Sequence, residues 1–354
     1  MQSTVRIELT HANDGSNNVW NGTSTPLRGA LIEMLGSYAI IAPCRNEAKF
    51  VRRTLDSLVA QTIHPALLVV VDDGSTDDTP KILAEYAARY DWIRVVTRKD
   101  RGSRSVGPGV IETFYAGLET VNLDEFGYLC KLDLDLELPS RYFEILLERM
   151  AAEPRLGTCS GKPYFTNSAG DLEPEVCGDE MSVGMTKLYR VECFRQIGGF
   201  VREVMWDGID CHRCRMLGWI AASWDDEGLR FVHLRPMGSS QSGILTGRMR
   251  HGYGQYFMGT SLAYITASAL FRLPHRPFVL GGLAIWWGYL RAMLLGRPRY
   301  PDLEFRRHLR RYQFDGLVRG KARATQRAND LGAAKWNPGR DSPAHASIMA
   351  VTAQ

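Results

Sequence analysis

Acidic residues are scarce in one part of this chain, and long apolar runs are missing throughout. Between Arg248 and Lys321, twelve arginines and one lysine meet only Asp302, Glu304 and Asp315. That segment carries a net +10, which leaves the remainder at −6 against +4 for the whole chain. Such a skew predicts a basic surface at one end rather than a uniformly basic protein. The apolar stretches Tyr256 to Leu273 and Phe278 to Leu295 fall short of the roughly twenty residues a spanning helix needs, and the second carries Arg291. The opening MQSTVRIELTHANDGSNNVW has no basic segment followed by an apolar core, so it does not read as a secretory signal. Seven cysteines make an odd count with no disulfide-framework spacing, which points to a reducing compartment. No nucleic-acid-binding module is recognisable, and the basic residues adjoin apolar runs, so nucleic acid is not expected as a partner.

What is present is an ordinary globular composition, 45% hydrophobic and 23% charged over 354 residues. Residues 1–35 are polar and read as a loose arm. From there apolar strands alternate with amphipathic helices. YAIIAP (38–43), LLVVV (67–71), WIRVVT (92–97) and Tyr128 to Leu136 read as strands. Residues 48–61, 79–89 and 110–118 read as the helices between them. Val183 to Val191 and Phe231 to Leu234 predict further strands, with a helix from Asp210 to Leu217. This alternation predicts an α/β fold with a mainly parallel sheet, whose ligands lie at the carboxyl ends of the strands. The basic stretch 248–316 predicts a pair of interfacial or shallow helices, with Trp286, Trp287 and Tyr289 at a bilayer boundary. A hairpin buried in a soluble core is the alternative. The Arg-, Ala- and Ser-rich residues 317–354 read as disordered.

Carboxylates cluster at two predicted strand ends, Asp72-Asp73 and KLDLDLE (131–137). On one strand Asp133, Asp135 and Glu137 share a face, and like charges so placed need water or a cation. Oxygen ligands of this type suit Mg2+ or Mn2+. Taken alone, the short D-x-D pattern fits a solvated strand face equally well. Cys211 and Cys214 form a C-x-x-C without a second ligand pair, so structural cysteines are expected there rather than zinc.

The order PCRNE, VVVDDGSTDDT, strand, then D-x-D resembles the family 2 glycosyltransferases of the GT-A fold, over about Tyr38 to His233. The resemblance implies a catalytic domain over 36–247. It implies that Pro43, Arg45, Glu47, Asp72 and Asp73 line a nucleotide pocket, with Lys99, Arg101 and Arg104 beside the diphosphate. It implies that Asp133 and Asp135 serve the nucleotide sugar and its Mn2+ or Mg2+, with His233 as a further ligand. An inverting enzyme of this kind needs a carboxylate base. Asp207 stands twelve residues before Trp219, where the family carries it, but Trp206 replaces the acid that usually precedes it, so Asp210 remains a rival. The segment RMRHGYGQYFMGT (248–260) resembles the region after the core in bacterial exopolysaccharide and lipopolysaccharide transferases. That implies a lipid-linked acceptor; the +10 segment beside apolar runs fits an anionic membrane surface, and a UDP-sugar donor is expected from its frequency in the family. The location implied is peripheral or monotopic, on the cytoplasmic face of a bacterial inner membrane. The Q-x-x-R-W motif of processive synthases is absent, so addition of a single sugar is expected. The competing readings are a nucleotidyltransferase, for which PCRNEAKF lacks the glycines, and a nucleotide-sugar binding module without turnover.

Overall fold

The computed structural model describes residues 36–100, 102, 107–167, 169–175, 177–235, 244–274 and 278–340. The N-terminal arm, Arg101, Arg104 and residues 341–354 lie outside them. The first half runs β1 (Tyr38–Cys44), α1 (Val51–Val59), β2 (Leu67–Asp72), α2 (Thr79–Arg89), β3 (Ile93–Thr97), α3 (Pro108–Leu118) and β4 (Tyr128–Leu132). It continues through β5 (Leu136–Glu137), α4 (Tyr142–Ala152), β6 (Leu156–Ser160), β7 (Lys162–Thr166), β8 (Leu172–Pro174), β9 (Thr186–Arg190) and α5 (Val191–Gln196). Then come α6 (Trp206–Met216), β10 (Ile220–Ser223) and β11 (Arg230–His233). Five helices finish the chain: α7 (Ile244–Met258), α8 (Leu262–Phe271), α9 (Leu280–Leu294), α10 (Leu303–Arg319) and α11 (Lys321–Ala333).

Seven strands form one sheet in the order β3-β2-β1-β4-β9-β6-β10. β1 to β4 are mutually parallel, β9 is antiparallel to both its neighbours, and β6 and β10 are parallel. The mixed sheet flanked by helical layers is the α/β architecture with a mainly parallel sheet that the strand–helix alternation predicts. The near-continuous apolar runs of β1 and β2 follow from burial on both faces. Tyr38, Ile40 and Ala42 point into one core with α1, α2 and α4, while Ala39 and Ile41 point into the other with α3, α5 and α6. β5, β11, β7 and β8 make a second, smaller sheet.

Several elements differ from the sequence expectation. The strand from Tyr128 stops at Leu132, and Asp133–Asp135 form a bend before β5. Leu132, Leu134 and Leu136 all turn into the core, but the three carboxylates do not share one strand face: Glu137 lies outward and pairs with Arg53. α6 begins four residues before the expected Asp210, at Trp206, which brings Asp207 into its first turn. The apolar run from Tyr256 is cut at Gly259–Ser261, where Ser261 caps α8 through the Tyr264 amide. No helix among the described residues is long and apolar enough to cross a membrane.

The tail expected to be disordered is helical through Ala333 and packed onto the α/β domain. Trp336 meets the Trp219 ring edge-on at 5.7 Å, Arg155 donates to the Asn329 carbonyl at 2.6 Å, and Lys321 pairs with Glu180 at 2.5 Å. Arg and Ala are strong helix formers, so a composition poor in large apolar groups still makes a helix when one side finds partners.

Candidate active site

The loop after β1 and the loop after β2 are built as one piece. The VVVDDGSTDDT segment supplies side-chain acceptors that the PCRNEA backbone uses. Ser75 Oγ accepts from the Asn46 amide at 2.8 Å, Thr79 Oγ1 from Glu47 at 2.8 Å, and Asp77 Oδ2 from Ala48 at 3.1 Å. Asn46 returns the favour through its Oδ1 to the Thr76 amide at 2.8 Å. Its left-handed backbone (φ 52°), which Asn tolerates, leaves Asn46 exposed and both Arg45 and Glu47 buried. Gly74 takes φ 74°, and a Cβ there would strike Asp100.

Because Cys44 pairs with Asp72, and Asp72 with Thr97, the carboxyl ends of β1, β2 and β3 are level. Asp72 is buried and accepts from the Ser75 amide at 3.0 Å. Asp73 is buried and meets Arg98 at 3.1 Å. Arg45 reaches Asp100 at 2.6 Å and also donates to the Asp73 carbonyl, tying the three loops together. Pro43 is half-buried at the end of β1, whereas Lys99 is exposed. Arg98, which the sequence did not single out, is the basic residue of that loop that reaches the acidic pair among the described residues.

The second sheet delivers the other side. β11 pairs antiparallel with β5, and the Leu234 amide donates to the Asp135 carbonyl at 2.8 Å. This places His233 Nε2 3.7 Å from Asp135 Oδ2, while His233 Nδ1 lies 2.8 Å from Glu175. Arg235 bridges Asp135 at 2.5 Å and Glu47 at 2.8 Å, joining the first loop to the D-x-D bend. Burial alone would raise the Asp135 pKa, but His233 and Arg235 outweigh it and hold the carboxyl down to about 2. Burial likewise works against the charged form of His233, but Asp135 and Glu175 raise it to about 9. Asp133 bonds Lys131 Nζ at 2.5 Å. Partial burial raises its pKa, and Asp135 adds to this against the pull of Lys131.

Among the described residues no group of three His, Cys, Asp or Glu side chains is arranged as a metal cage. A hard cation shared with a substrate diphosphate needs only one or two protein carboxylates. Asp135 Oδ1 is buried with no hydrogen-bond partner, an acceptor whose desolvation a cation would offset. The oxygens of Asp133 and Asp135 therefore fit Mn2+ or Mg2+, and His233 would have to give up its extra proton to join them.

Asp207 and Asp210 occupy different environments. Asp210 is buried, paired with Lys187 at 2.5 Å and bonded by the Tyr189 hydroxyl. Burial works against a charged Lys187, yet the Asp210 carboxylate outweighs it and raises the Lys187 pKa. Asp207 is half-buried, and its carboxylate lies against Gly184, where a Cβ would come within 2.8 Å of Oδ2. The Gly184 carbonyl accepts from Lys131 Nζ at 2.9 Å, the same ammonium that binds Asp133. A short chain of contacts thus runs from the D-x-D bend to Asp207. Met205, just before α6, holds φ 61°, a conformation costing roughly 1 kcal/mol for a non-glycine residue. Cys211 and Cys214 are buried, with Cys214 Sγ 3.5 Å from Cys193 Sγ, in keeping with structural thiols.

Residues 39–197 match the family model for glycosyl transferase family 2. This stretch is similar to the family 2 glycosyltransferases and lies within the α/β domain. A chondroitin synthase of Escherichia coli is 27% identical over 199 residues, 56% of this chain and 25% of that protein. A poly-beta-1,6-N-acetyl-D-glucosamine synthase of Staphylococcus aureus is 22% identical over 142 residues, 40% of this chain and 32% of that protein. The chain thus spans between a quarter and a third of the curated relatives it matches. Among solved structures, a mannosyltransferase from Pyrobaculum calidifontis, PcManGT in complex with GDP-Man and Mn2+, aligns over 87% of this chain and 92% of its own. Its TM-score is 0.46 at 18% identity.

Proposed function

We propose that this chain is an inverting, cation-assisted transferase that moves one sugar from a UDP-sugar to a lipid-linked saccharide or polyprenyl phosphate. In this reading it works against the anionic inner face of a bacterial membrane. The observation that carries the proposal is the gathering of Glu47, Asp72, Asp73, Asp135 and Asp207 around the carboxyl ends of the parallel strands, with Asp207 linked to Asp133 through Lys131 and Gly184.

Each residue then has a task. Asp72 and Asp73 accept hydrogen bonds from the base and ribose, beside Pro43, Arg45 and Glu47. Asp133 and Asp135, joined by His233 once it has given up its extra proton, would hold the Mn2+ or Mg2+, which would supply neutralisation of charge on the leaving diphosphate. Asp207 takes the proton of the acceptor hydroxyl as that oxygen attacks the anomeric carbon from the face opposite the leaving group. Asp210, buried against Lys187, orients the first turns of α6 instead. Exposed Phe271, Phe278, Leu283 and Trp287, with arginines around them, support an interfacial contact with anionic lipid.

The test is donor hydrolysis and binding by the purified protein with a panel of UDP-, GDP- and dTDP-sugars, with and without Mn2+. Nucleoside diphosphate released from one UDP-sugar, only with the cation, is the expected result. Absence of both release and calorimetric binding for every donor rejects the proposal.

A further inference from the structure

A cleft of about 430 Å³ opens between α7 and α9, remote from the nucleotide loops in sequence. The two helices meet through glycines. A Cβ at Gly252 would collide with the Ile285 carbonyl, and one at Gly288 with the Met249 carbonyl. The Gly-aromatic pattern HGYGQY in this segment thus has a packing reason. Beside that crossing, Arg250, Arg291 and Arg297 line the cleft together with Met249, Tyr253 and Leu295, and no acid is among its lining residues. Arg291 and Arg297 are exposed, and neither joins an ion pair among the described residues. Leu295 and its neighbour Leu294, the latter 73% exposed, carry the apolar wall outward.

The cleft also touches the element that carries the base. Tyr253 Oη lies 3.4 Å from Glu203 Oε2, and a Cβ at Gly254 would run into Met205. Glu203 and Met205 belong to the turn that leads straight into Trp206 and Asp207. The other side of this turn packs on Gly107, at the end of the basic loop, where a Cβ would come within 3.3 Å of Val204. One turn therefore connects the donor loop, the base and the arginine cleft.

Guanidinium groups bind phosphate oxygens in pairs of parallel hydrogen bonds, so a cleft lined by arginines and by no acid selects a phosphate-bearing anion. A soluble anion would have no use for the Met249–Leu295 wall, and a neutral lipid none for the exposed Arg291 and Arg297. We infer that this cleft is the acceptor's anchoring site and takes the phosphate or diphosphate head of a long-chain lipid, with the hydrocarbon running along Leu295 and Leu294. The inference rests on the transferase reading above and names the chemistry of its acceptor.

The experiment is calorimetric titration of the full chain with farnesyl diphosphate below its micellar concentration, beside inorganic pyrophosphate, farnesol and a short-chain phosphatidylglycerol. Farnesyl diphosphate is expected to bind at least about tenfold more tightly than each of the other three. The double variant Arg291→Gln/Arg297→Gln is expected to lose at least about tenfold of that affinity, and a fluorescence melt at the wild-type temperature shows that the variant is folded. Equal binding of pyrophosphate would make the cleft a free-anion site and overturn the inference. Equal binding of phosphatidylglycerol would make it a general lipid contact, with the same consequence, as would an affinity untouched by the double variant or no binding of farnesyl diphosphate. A parallel titration of the wild type with UDP and Mn2+ reads the donor site alone. Failure there rejects the transferase assignment, whereas failure of farnesyl diphosphate with UDP still binding rejects only the cleft.

Discussion

Asp207 and Asp210 are three residues apart on one helix, and a single substitution at each separates chemistry from architecture. Asp207→Asn is expected to keep the affinity for the UDP-sugar and to lower turnover by about 10²–10⁴-fold, the usual worth of a positioned proton acceptor. Calorimetry and a transfer assay on the same preparation check this. Asp210→Asn leaves the Lys187 ammonium buried with no counter-charge. Breaking such a pair costs about 3–5 kcal/mol, so the expected outcome is a lower denaturation midpoint in urea. A variant of wild-type stability without turnover would instead make Asp210 the base. Gly184→Ala presses a methyl group against Asp207 Oδ2. It is expected to lower turnover while leaving UDP affinity in place, which a KM-against-kcat comparison reads directly. Asp135→Asn removes the charge that Arg235 and His233 share and turns one carboxylate oxygen into an amide nitrogen that cannot ligate a hard cation. Donor binding in that variant should lose its dependence on Mn2+, as a titration of the cation at fixed UDP would reveal.

At the level of elements, the strands and helices up to β4 were legible because their apolar residues repeat at two clean periods and end at Gly, Pro or Asp. The loops after β1 and β2 were legible for the same local reason: PCRNE and DDGSTDDT carry their own capping groups. The D-x-D strand was read too long because Leu132, Leu134 and Leu136 keep alternating through the bend, and all three do turn inward. What set the end of that strand was the pairing of β5 with β11, about a hundred residues later in the chain. The same pairing brings Arg235 onto Asp135. His233 was noticed in VHLRP, and the His-x-Arg spacing two residues on was the signal available for Arg235. Lys131 and Lys187 were invisible, because a lysine in an apolar strand declares neither its depth nor its partner. The glycine crossing of α7 and α9 gives a prediction on this scale. Gly288→Val drives a branched side chain into the Met249 carbonyl and should separate the helices, with a loss of 1–3 kcal/mol of the kind overpacking produces, about the same in urea or heat.

For the molecule as a whole, the last helices divide into two kinds. α10 and α11 close back on the α/β domain, with Phe305 and Leu309 in a core shared with Ile209 of α6. α8 and α9 instead leave Phe271 71% exposed, with Phe278, Leu283 and Trp287 beside it. Wild-type protein is expected to sediment with phosphatidylglycerol vesicles and to be released by high salt, since each arginine near the surface contributes about 1 kcal/mol that screening removes. Phe271→Asp/Trp287→Asp should stay in the supernatant, and its sedimentation with the vesicles would refute the docking face. Truncation before residue 317 removes the Trp336 and Arg155 contacts from the domain edge and should lower thermal stability without touching the nucleotide loops.

The seven cysteines give the folded chain another property. Six are buried, and burial pushes Cys130 and Cys211 up to about 12. Only thiolate reacts at speed, so alkylating reagents meet almost no reactive sulfur until the structure opens. Cys44 lies at the end of β1, Cys130 in β4, Cys193 in α5 and Cys214 in α6. Each labels at the rate at which its own element opens, and the chain carries a native set of clocks for local unfolding, spread from the donor loops to the helix that holds Asp207.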